Sequence, residues 1–219
     1  MLIAFSGVDC AGKSTQIRLL EQYFISRGKT CKVLWYRPGY SGELQICKNK
    51  ARQLANILRR TLHPSHTASH LSSSSNRATP PASVWVPMAA IDTCLQWGLK
   101  LRLLMRRYDV VICDRYVEDA CFDIRFKYPD FHAPSVLFAH LKHLMPRPDH
   151  AFILTLDHDE MLARVARKNE PFPDDEAVRD ARYRLYMALP GCHIDAGGSI
   201  QHTHGLILDA LELPHESLT

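Results

Sequence analysis

The stretch Gly7-Val8-Asp9-Cys10-Ala11-Gly12-Lys13-Ser14 follows a short apolar run at residues 2–6 and precedes a segment of helical period. It satisfies the phosphate-loop pattern G-x-x-x-x-G-K-[ST] in full. Its glycines let backbone N–H groups turn inward around an anion, and the following helix directs its positive end at the same point. The stretch therefore predicts a loop that binds nucleotide phosphates, with a strand before it and a helix after it.

Two side chains of this loop have specific expected roles. We expect Lys13 to contact the β- and γ-phosphates of ATP and Ser14 to supply a hydroxyl ligand to Mg²⁺. The predicted nucleotide-binding set comprises the loop and the residue after it: Gly7, Val8, Asp9, Cys10, Ala11, Gly12, Lys13, Ser14 and Thr15. ATP and Mg²⁺ are accordingly the predicted cofactors.

Apolar runs alternate with segments of helical period along the whole chain. The expected strands are residues 2–6, 31–35, 109–113, 151–156 and 193–196, and the expected helices are residues 13–27, 42–60, 85–107, 134–145, 158–168, 175–189 and 199–211. Strands that are apolar throughout and alternate with helices indicate a parallel sheet covered on both faces. The prediction is an α/β protein, a three-layer α/β/α P-loop NTPase fold with a five-stranded parallel sheet. Ligands bind such sheets at the carboxyl ends of the strands.

The chain has 219 residues, of which 46% are hydrophobic, so it is long enough for one sizeable core. We predict a single P-loop kinase domain over residues 1–219. Residues 61–83 are rich in Ser, His, Thr and Pro and lack a periodic apolar face, which predicts a mobile loop within that domain. The loop contains three histidines, but their spacing in a Ser-rich segment is poor ligand geometry, so we predict no metal site there.

Charge and cysteine usage indicate the setting of the protein. The formal net charge is +4 and no block of five like charges occurs, which argues against nucleic acid as the main partner. The seven cysteines form no C-x-x-C pair, as is typical of a reduced intracellular protein. No stretch approaches the roughly 20 apolar residues of a membrane helix, and the apolar start is too short for a signal peptide. We predict a cytoplasmic protein without membrane or nucleic-acid partners.

The segment Asp114-Arg115-Tyr116 follows the third apolar run. An acidic residue at the end of a buried strand, near a phosphate loop, is the expected second holder of Mg²⁺, directly or through water. Arg115 would lie in the same cleft, where a guanidinium can bind a phosphate or a carboxylate. In Tyr36-Arg37-Pro38-Gly39, after the second run, the Pro-Gly turn can fix Arg37 at the rim of the cleft.

Arg164, Arg167 and Lys168 lie on one predicted helix and its exit, and a spacing of three to four residues places them on overlapping faces. We expect Arg164 and Arg167 to close over the ATP phosphates, within a lid region at residues 157–175, and to stabilise the charge that develops during phosphoryl transfer. The predicted catalytic set is therefore Lys13, Arg115, Arg164 and Arg167. A solvated helix face is the alternative interpretation of the same spacing.

These motifs resemble those of thymidylate kinases, within the nucleoside monophosphate kinases of the P-loop group. The similarity runs nearly end to end and includes residues 5–16, 36–39, 114–116, 148–149, 156–157 and 194–196. The resemblance implies a homodimeric enzyme that transfers a phosphoryl group from ATP to dTMP. It also implies that Arg37 and Arg115 bind the acceptor phosphate, that Asp9 lies at the sugar end, and that Tyr116 belongs to the same substrate-binding set.

The part of the sequence that would bind the acceptor base departs from the family's pattern. The helix before the third strand carries in the family an Arg that reads thymine, whereas residues 89–93 here read Ala-Ala-Ile-Asp-Thr. After Asp-Arg-Tyr, residues 117–123 add three carboxylates. Cys10 stands where some members have a catalytic Arg, so the charge of the transition state would fall to Arg164 or Arg167.

The sequence leaves three classes of function open. Transfer to dTMP needs no general base, because an acceptor phosphate is already ionised. Transfer to a hydroxyl of a sugar, polyol or nucleoside needs one, and Asp9, Asp119 and Asp123 are the candidates. A nucleotide-binding regulator is the third class. A GTPase of that kind would need Asn-Lys-x-Asp and an Asp-x-x-Gly after the third strand, and neither occurs.

Overall fold

The computed structural model describes residues 1–37, 82–127, 142–168 and 175–214. Five parallel strands form one sheet in the order β2-β3-β1-β4-β5. The strands are β1 (Leu2–Gly7), β2 (Cys31–Trp35), β3 (Val110–Asp114), β4 (His150–Thr155) and β5 (Cys192–Asp195). The predicted five-stranded parallel sheet is confirmed, with strand ends within one residue of those expected. The entirely buried β1 lies at its centre.

Helices cover both faces of the sheet. They are α1 (Lys13–Ser26), α2 (Ala82–Thr93), α3 (Leu101–Arg107), α4 (Val117–Lys127), α5 (His158–Arg167), α6 (Glu176–Ala188) and α7 (Ile200–Ala210). Successive side chains of a strand point to opposite faces. Ile3 and Phe5 therefore join a core cluster that includes residues of α1 and α7, whereas Leu2 and Ala4 join a second cluster with Trp97. This is the predicted three-layer arrangement.

The predicted helix at residues 85–107 is three consecutive segments. A π-helix at Cys94–Lys100 joins α2 to α3, and the Leu101 N–H donates to the Gln96 carbonyl. Within it, Trp97 is fully buried, with its ring centroid 4.8 Å from that of Tyr36 and 5.0 Å from that of Tyr116. Those tyrosines are the sequence neighbours of Arg37 and Arg115, so the π-segment contributes to the packing behind both arginines.

The helix α4 was not predicted from the sequence. Its start carries Glu118 and Asp119 and its end carries Arg125 and Lys127, the charge order that favours a helix. Asp119 is one of its buried residues, so a carboxylate stands on the face that a sequence pattern would require to be apolar. Parts of three predicted segments lie outside the described residues: the helix at 42–60, residues 61–81 of the loop, and residues 134–141 of the helix at 134–145. The predicted loop ends two residues too late, because α2 begins at Ala82.

The lid region at residues 157–175 stays a prediction. Its helix α5 and the N-cap Asp157 are among the described residues, whereas residues 169–174 are not. The Asp157 side chain accepts from the Asp159 N–H at 2.9 Å, which fixes the start of α5. Among the helices in the described ranges, none has both the length and the apolar character that crossing a membrane requires.

Candidate active site

The phosphate loop connects the carboxyl end of β1 to the start of α1. Its two glycines have positive φ, +142° at Gly7 and +79° at Gly12. A Cβ at Gly7 would lie 2.2 Å from the Leu154 carbonyl oxygen, so no side chain fits there. Around Gly12 nothing lies within 4 Å of a Cβ position, so only the backbone conformation calls for glycine. The loop thus turns as tightly as an anion-binding nest requires.

Lys13 lies across this loop. Its ammonium donates to the Gly7 carbonyl at 2.8 Å and to the Val8 carbonyl at 2.9 Å. Burial lowers the pKa of Lys13 and the charge of Arg115 lowers it further, against a smaller opposing effect of nearby carboxylates. A half-buried ammonium at the mouth of an anion nest is suited to a polyphosphate, because the negative charge of the phosphates stabilises the protonated form that burial disfavours.

Ser14 and Asp114 are the oxygen ligands that the sequence assigns to Mg²⁺, and both line the same cleft. Asp114 ends β3, paired with Phe5 of β1, and Ser14 lies in the first turn of α1. Burial raises the pKa of the Asp114 carboxyl, and Lys13 and Arg115 oppose that rise. A hydroxyl and a carboxylate are hard oxygen donors, which fit a Mg²⁺ ion that keeps waters and binds substrate phosphates. No group of three or more His, Cys, Asp or Glu residues able to hold a metal occurs in the described part of the chain.

Arg115 has a backbone conformation that non-glycine residues rarely adopt, with φ +76°. Its N–H donates to the Phe5 carbonyl at 2.9 Å, which joins the turn to the end of β1. Nη1 of its guanidinium is buried and has no hydrogen-bond partner among the described residues. Burial opposes the charge of Arg115, but Tyr186 and the carboxylates of Asp119, Asp123 and Asp9 together raise its pKa. Strain of this kind, together with an unsatisfied donor, is characteristic of a ligand site.

Arg37 lines the cleft and forms an ion pair with Asp123 at 2.7 Å. Arg182 of α6 binds the other oxygen of that carboxylate at 3.2 Å. Sequence reasoning did not select Arg182 or Arg179, which also lines the cleft. Their spacing of three on a correctly predicted helix was the available signal, since it places both on one face.

Asp119 lies behind this wall of the cleft and is almost fully buried. One carboxylate oxygen accepts from the Ser6 hydroxyl at 2.5 Å and the Tyr116 N–H at 3.0 Å, and the other accepts from the Tyr186 hydroxyl at 2.5 Å. Asp119 is therefore a structural acceptor that joins β1, α4 and α6.

Two predicted site residues do not face the cleft. Tyr116 is a correction: it is buried against Trp97, and its hydroxyl donates to the Pro146 carbonyl at 2.5 Å. Its side chain packs in the core, since the strained turn at Arg115 directs Arg115, and not Tyr116, into the cleft. Arg167 is a second correction, because it is exposed and outside the lining of the cleft. The cleft is lined instead by Arg164 and Val165 of α5 and by Lys168, the residue directly after the helix.

The residues where the family's thymine-reading Arg would lie are also turned inward. Asp92 is buried and accepts from the Tyr36 hydroxyl at 3.1 Å, and Thr93 donates to the Ala89 carbonyl at 2.7 Å. Neither side chain lines the cleft. Asp92 and Thr93, which lie where the family's pattern has its base-reading Arg, therefore form hydrogen bonds within the protein.

The phosphate loop, Asp114 and the cleft-facing arginines surround one open cleft of about 720 Å³ at the carboxyl end of the sheet. The phosphate loop from Asp9 to Thr15 forms its floor, and Arg164 on α5 pairs with Glu160 at 2.8 Å at its edge. Among the described residues, six cationic side chains besides Lys13 line it: Arg37, Arg115, Arg164, Lys168, Arg179 and Arg182. Against two lining carboxylates, Asp9 and Asp114, this is a strongly positive cleft that fits polyphosphate ligands.

Comparison with known proteins gives the fold. No protein-family model matches the chain. The structure is similar to thymidylate kinase from Ehrlichia chaffeensis, with a TM-score of 0.50, 21% identity and coverage of 96% of this chain and 98% of that one. It is also similar to thymidylate kinase from Candida albicans, with a TM-score of 0.55, 17% identity and coverage of 96% and 90%. The chain has the fold of these proteins, and at the level of fold the resemblance to thymidylate kinases is confirmed.

A short segment also matches a curated relative in sequence. It is 66% identical over 29 residues to the thymidylate kinase of Thermosipho melanesiensis. The match covers 13% of this chain and spans only 15% of the length of that relative.

Proposed function

We propose that the protein is an ATP-dependent phosphotransferase, a nucleoside monophosphate kinase whose first candidate acceptor is dTMP. The observation that carries the proposal is a single cleft in which the phosphate-loop residues Lys13 and Ser14 share their space with Asp114, Arg37 and Arg115. A donor polyphosphate and an acceptor phosphate both find cationic partners in that cleft.

On the donor side, the loop amides at the start of α1 bind the ATP phosphates, and the Lys13 ammonium turns from the Gly7 and Val8 carbonyls to the β- and γ-phosphates. Ser14 and Asp114 would hold Mg²⁺, which neutralises charge on the phosphates when bound. Arg164 and Lys168 of the lid region cover the same phosphates from α5. In these roles the side chains supply positive charge where the transferred phosphoryl group becomes more negative.

On the acceptor side, Arg37 and Arg115 bind the phosphate of the monophosphate and align one of its oxygens with the γ-phosphorus. Two of the three candidate general bases already have partners: Asp119 accepts three hydrogen bonds, and Asp123 binds two arginines. This arrangement favours an acceptor that is already ionised, since such an acceptor needs no base.

A hydroxyl acceptor, such as a sugar or a nucleoside, is the second candidate, and one observation favours it. Asp9 lies in the phosphate loop and lines the cleft, so its carboxylate has a position from which it can take a proton from a hydroxyl. In the leading proposal the same carboxylate instead lies at the sugar end of the nucleotide.

The proposal includes a homodimer in the cytoplasm. Ile91, Leu95, Leu99 and Leu103 recur at a spacing of four along the α2–α3 helical stretch, and each is more than half exposed. A continuous apolar stripe on one helical face suits a self-complementary interface with a second copy of the chain.

The test is a coupled assay of ADP release with ATP and Mg²⁺ against a panel of acceptors. The panel contains dTMP, the other nucleoside monophosphates, thymidine and simple sugars. Turnover with a monophosphate supports the leading proposal. Turnover with a hydroxyl acceptor alone, lost in Asp9→Asn, would replace it with the second candidate, and no ATP binding at all would remove both.

A further inference from the structure

Asp123 contacts two of the arginines that line the cleft. Its Oδ2 accepts from Nε of Arg37 at 2.7 Å, and its Oδ1 accepts from Nη2 of Arg182 at 3.2 Å. Asp123 lies on α4, Arg182 lies on α6, and Arg37 follows β2. One carboxylate therefore connects three separate elements around the acceptor side of the cleft.

The three side chains of this ion-pair network differ in exposure. The side chains of Asp123 and Arg182 are 8% and 6% exposed, whereas that of Arg37 is 45% exposed. Two buried charges of opposite sign need each other, because either one alone would be desolvated without compensation. Arg37 is held through Nε while its side chain remains accessible to solvent in the cleft.

The residue before Asp123 restrains the same arginine. The guanidinium carbon of Arg182 lies 5.1 Å from the ring centroid of Phe122. Adjacent residues of α4 thus give Arg182 an ion pair and an aromatic contact, which together fix the plane of the guanidinium. A guanidinium whose position is fixed before binding loses less conformational entropy when a phosphate arrives.

We propose that Asp123 is a positioning residue for the acceptor phosphate, and that Arg182 is a third acceptor-side arginine beside Arg37 and Arg115. The inference rests on the proposed function and deepens it, because it assigns the acceptor a phosphate group that Arg37 and Arg182 bind together. A guanidinium has five N–H donors, so each arginine can contact Asp123 and a phosphate at the same time.

The test compares Asp123→Asn, Asp123→Glu and Arg37→Lys with the wild type in steady-state phosphorylation of dTMP. Asn keeps the size of the side chain, but it is uncharged and has only one oxygen that can accept a hydrogen bond from an arginine. We expect Asp123→Asn and Arg37→Lys to raise the KM for dTMP tenfold or more and to leave the KM for ATP within twofold. We expect Asp123→Glu, which keeps the charge, to recover most of the loss.

Asp180→Asn is the matched control, because Asp180 lies on α6 and its carboxylate contacts His158 at 3.1 Å, outside the lining of the cleft. Thermal unfolding of every variant identifies loss of folded protein, and Asp123→Glu, which keeps the buried charge beside Arg182, allows the inference to be tested even if Asp123→Asn does not fold. An unchanged KM for dTMP in the folded variants, or an equal fall in kcat with both substrates' KM unchanged, would overturn the inference alone. Absence of wild-type turnover on every monophosphate would overturn it together with the proposed function.

Discussion

The Ser6 hydroxyl donates to the Asp119 carboxylate at 2.5 Å and thereby joins β1 to a helix 113 positions later in the chain. Tyr186 of α6 donates to the other oxygen of the same carboxylate. The bond network holds α4 and α6 against the central strand, and those two helices carry Asp123 and Arg182. The geometry of the acceptor side therefore depends on a buried carboxylate that does not itself line the cleft.

Tyr186→Phe should lower the free energy of unfolding by about 1–3 kcal/mol, because it leaves a buried carboxylate oxygen of Asp119 without its donor. Tyr183→Phe is the control on the same helix, since its hydroxyl donates to the Leu156 carbonyl at 3.2 Å in a less buried place. We expect the control to cost about 1 kcal/mol or less. Urea denaturation of the three proteins measures the difference, and equal costs would contradict a special role for the buried carboxylate.

Lys13→Ala should reduce ATP-dependent transfer by orders of magnitude while the fold survives. The ammonium donates to two loop carbonyls, and its charge acts on the phosphates in the proposed mechanism. Lys29→Ala, at an exposed position just beyond α1, should leave turnover unchanged. Initial rates and circular dichroism of both variants provide the comparison. Wild-type rates in Lys13→Ala would remove the phosphate loop from the proposed mechanism.

Arg115→Ala and Arg115→Gly should both lose about 10²-fold or more of kcat/KM, since both remove the guanidinium from the cleft. The two variants should differ in stability. Glycine adopts φ +76° without steric cost. The free energy of unfolding of Arg115→Gly should therefore be about 1 kcal/mol higher than that of Arg115→Ala. Thermal denaturation gives the order, and an alanine variant as stable as the glycine variant would show that the turn relaxes.

The Asp109 carboxyl predicts one dependence on pH. Hydrogen bonds from the Thr30 N–H at 2.8 Å and the Thr30 hydroxyl at 2.7 Å hold the pKa of Asp109 below its ordinary value of 3.8. A carboxyl whose folded pKa is lowered contributes stability above its unfolded pKa and loses that contribution as the pH falls through the folded pKa. The wild type should therefore have a higher free energy of unfolding than Asp109→Asn at pH 6, and this difference should shrink below pH 3.8. Denaturation at both pH values checks the sign, and a gap that widens in acid would refute it.

Leu99→Glu should convert the proposed dimer to monomer, because a charge in the centre of the apolar stripe would be buried without a partner in a two-fold interface. Leu144→Glu is the control, since Leu144 is also more than half exposed but lies outside the stripe. Light scattering coupled to size exclusion gives the mass of each variant. A wild type that is monomeric at all concentrations would remove the dimer from the proposal.

Local features of the site were predictable from sequence, and features that depend on distant residues were not. The loop from Gly7 to Ser14 has its pattern in consecutive residues, so its strand and helix followed directly. The contact between Asp123 and Arg182 joins residues 59 positions apart, and no local pattern encodes it. The left-handed turn at Arg115 is held by the Phe5 carbonyl, another long-range contact.

The error at Arg167 has a simple geometric cause. Successive residues of a helix differ by about 100° in direction, so a spacing of three or four defines a face only to within a broad arc. Arg164 and Lys168, four apart, both line the cleft, whereas Arg167 does not. The direction of the helix relative to the sheet decides between them, and the sheet is assembled from the whole chain.

The strand order places the phosphate loop, which follows β1, between two flanks of the sheet. On one flank of β1, β3 and β2 lead to Asp114, Arg115 and Arg37. On the other flank, β4 leads to α5 and its Arg164. The charged groups that line the cleft therefore come from both neighbours of one central strand. A change on either flank of β1 can therefore alter one wall of the cleft while the phosphate loop between the two flanks stays intact.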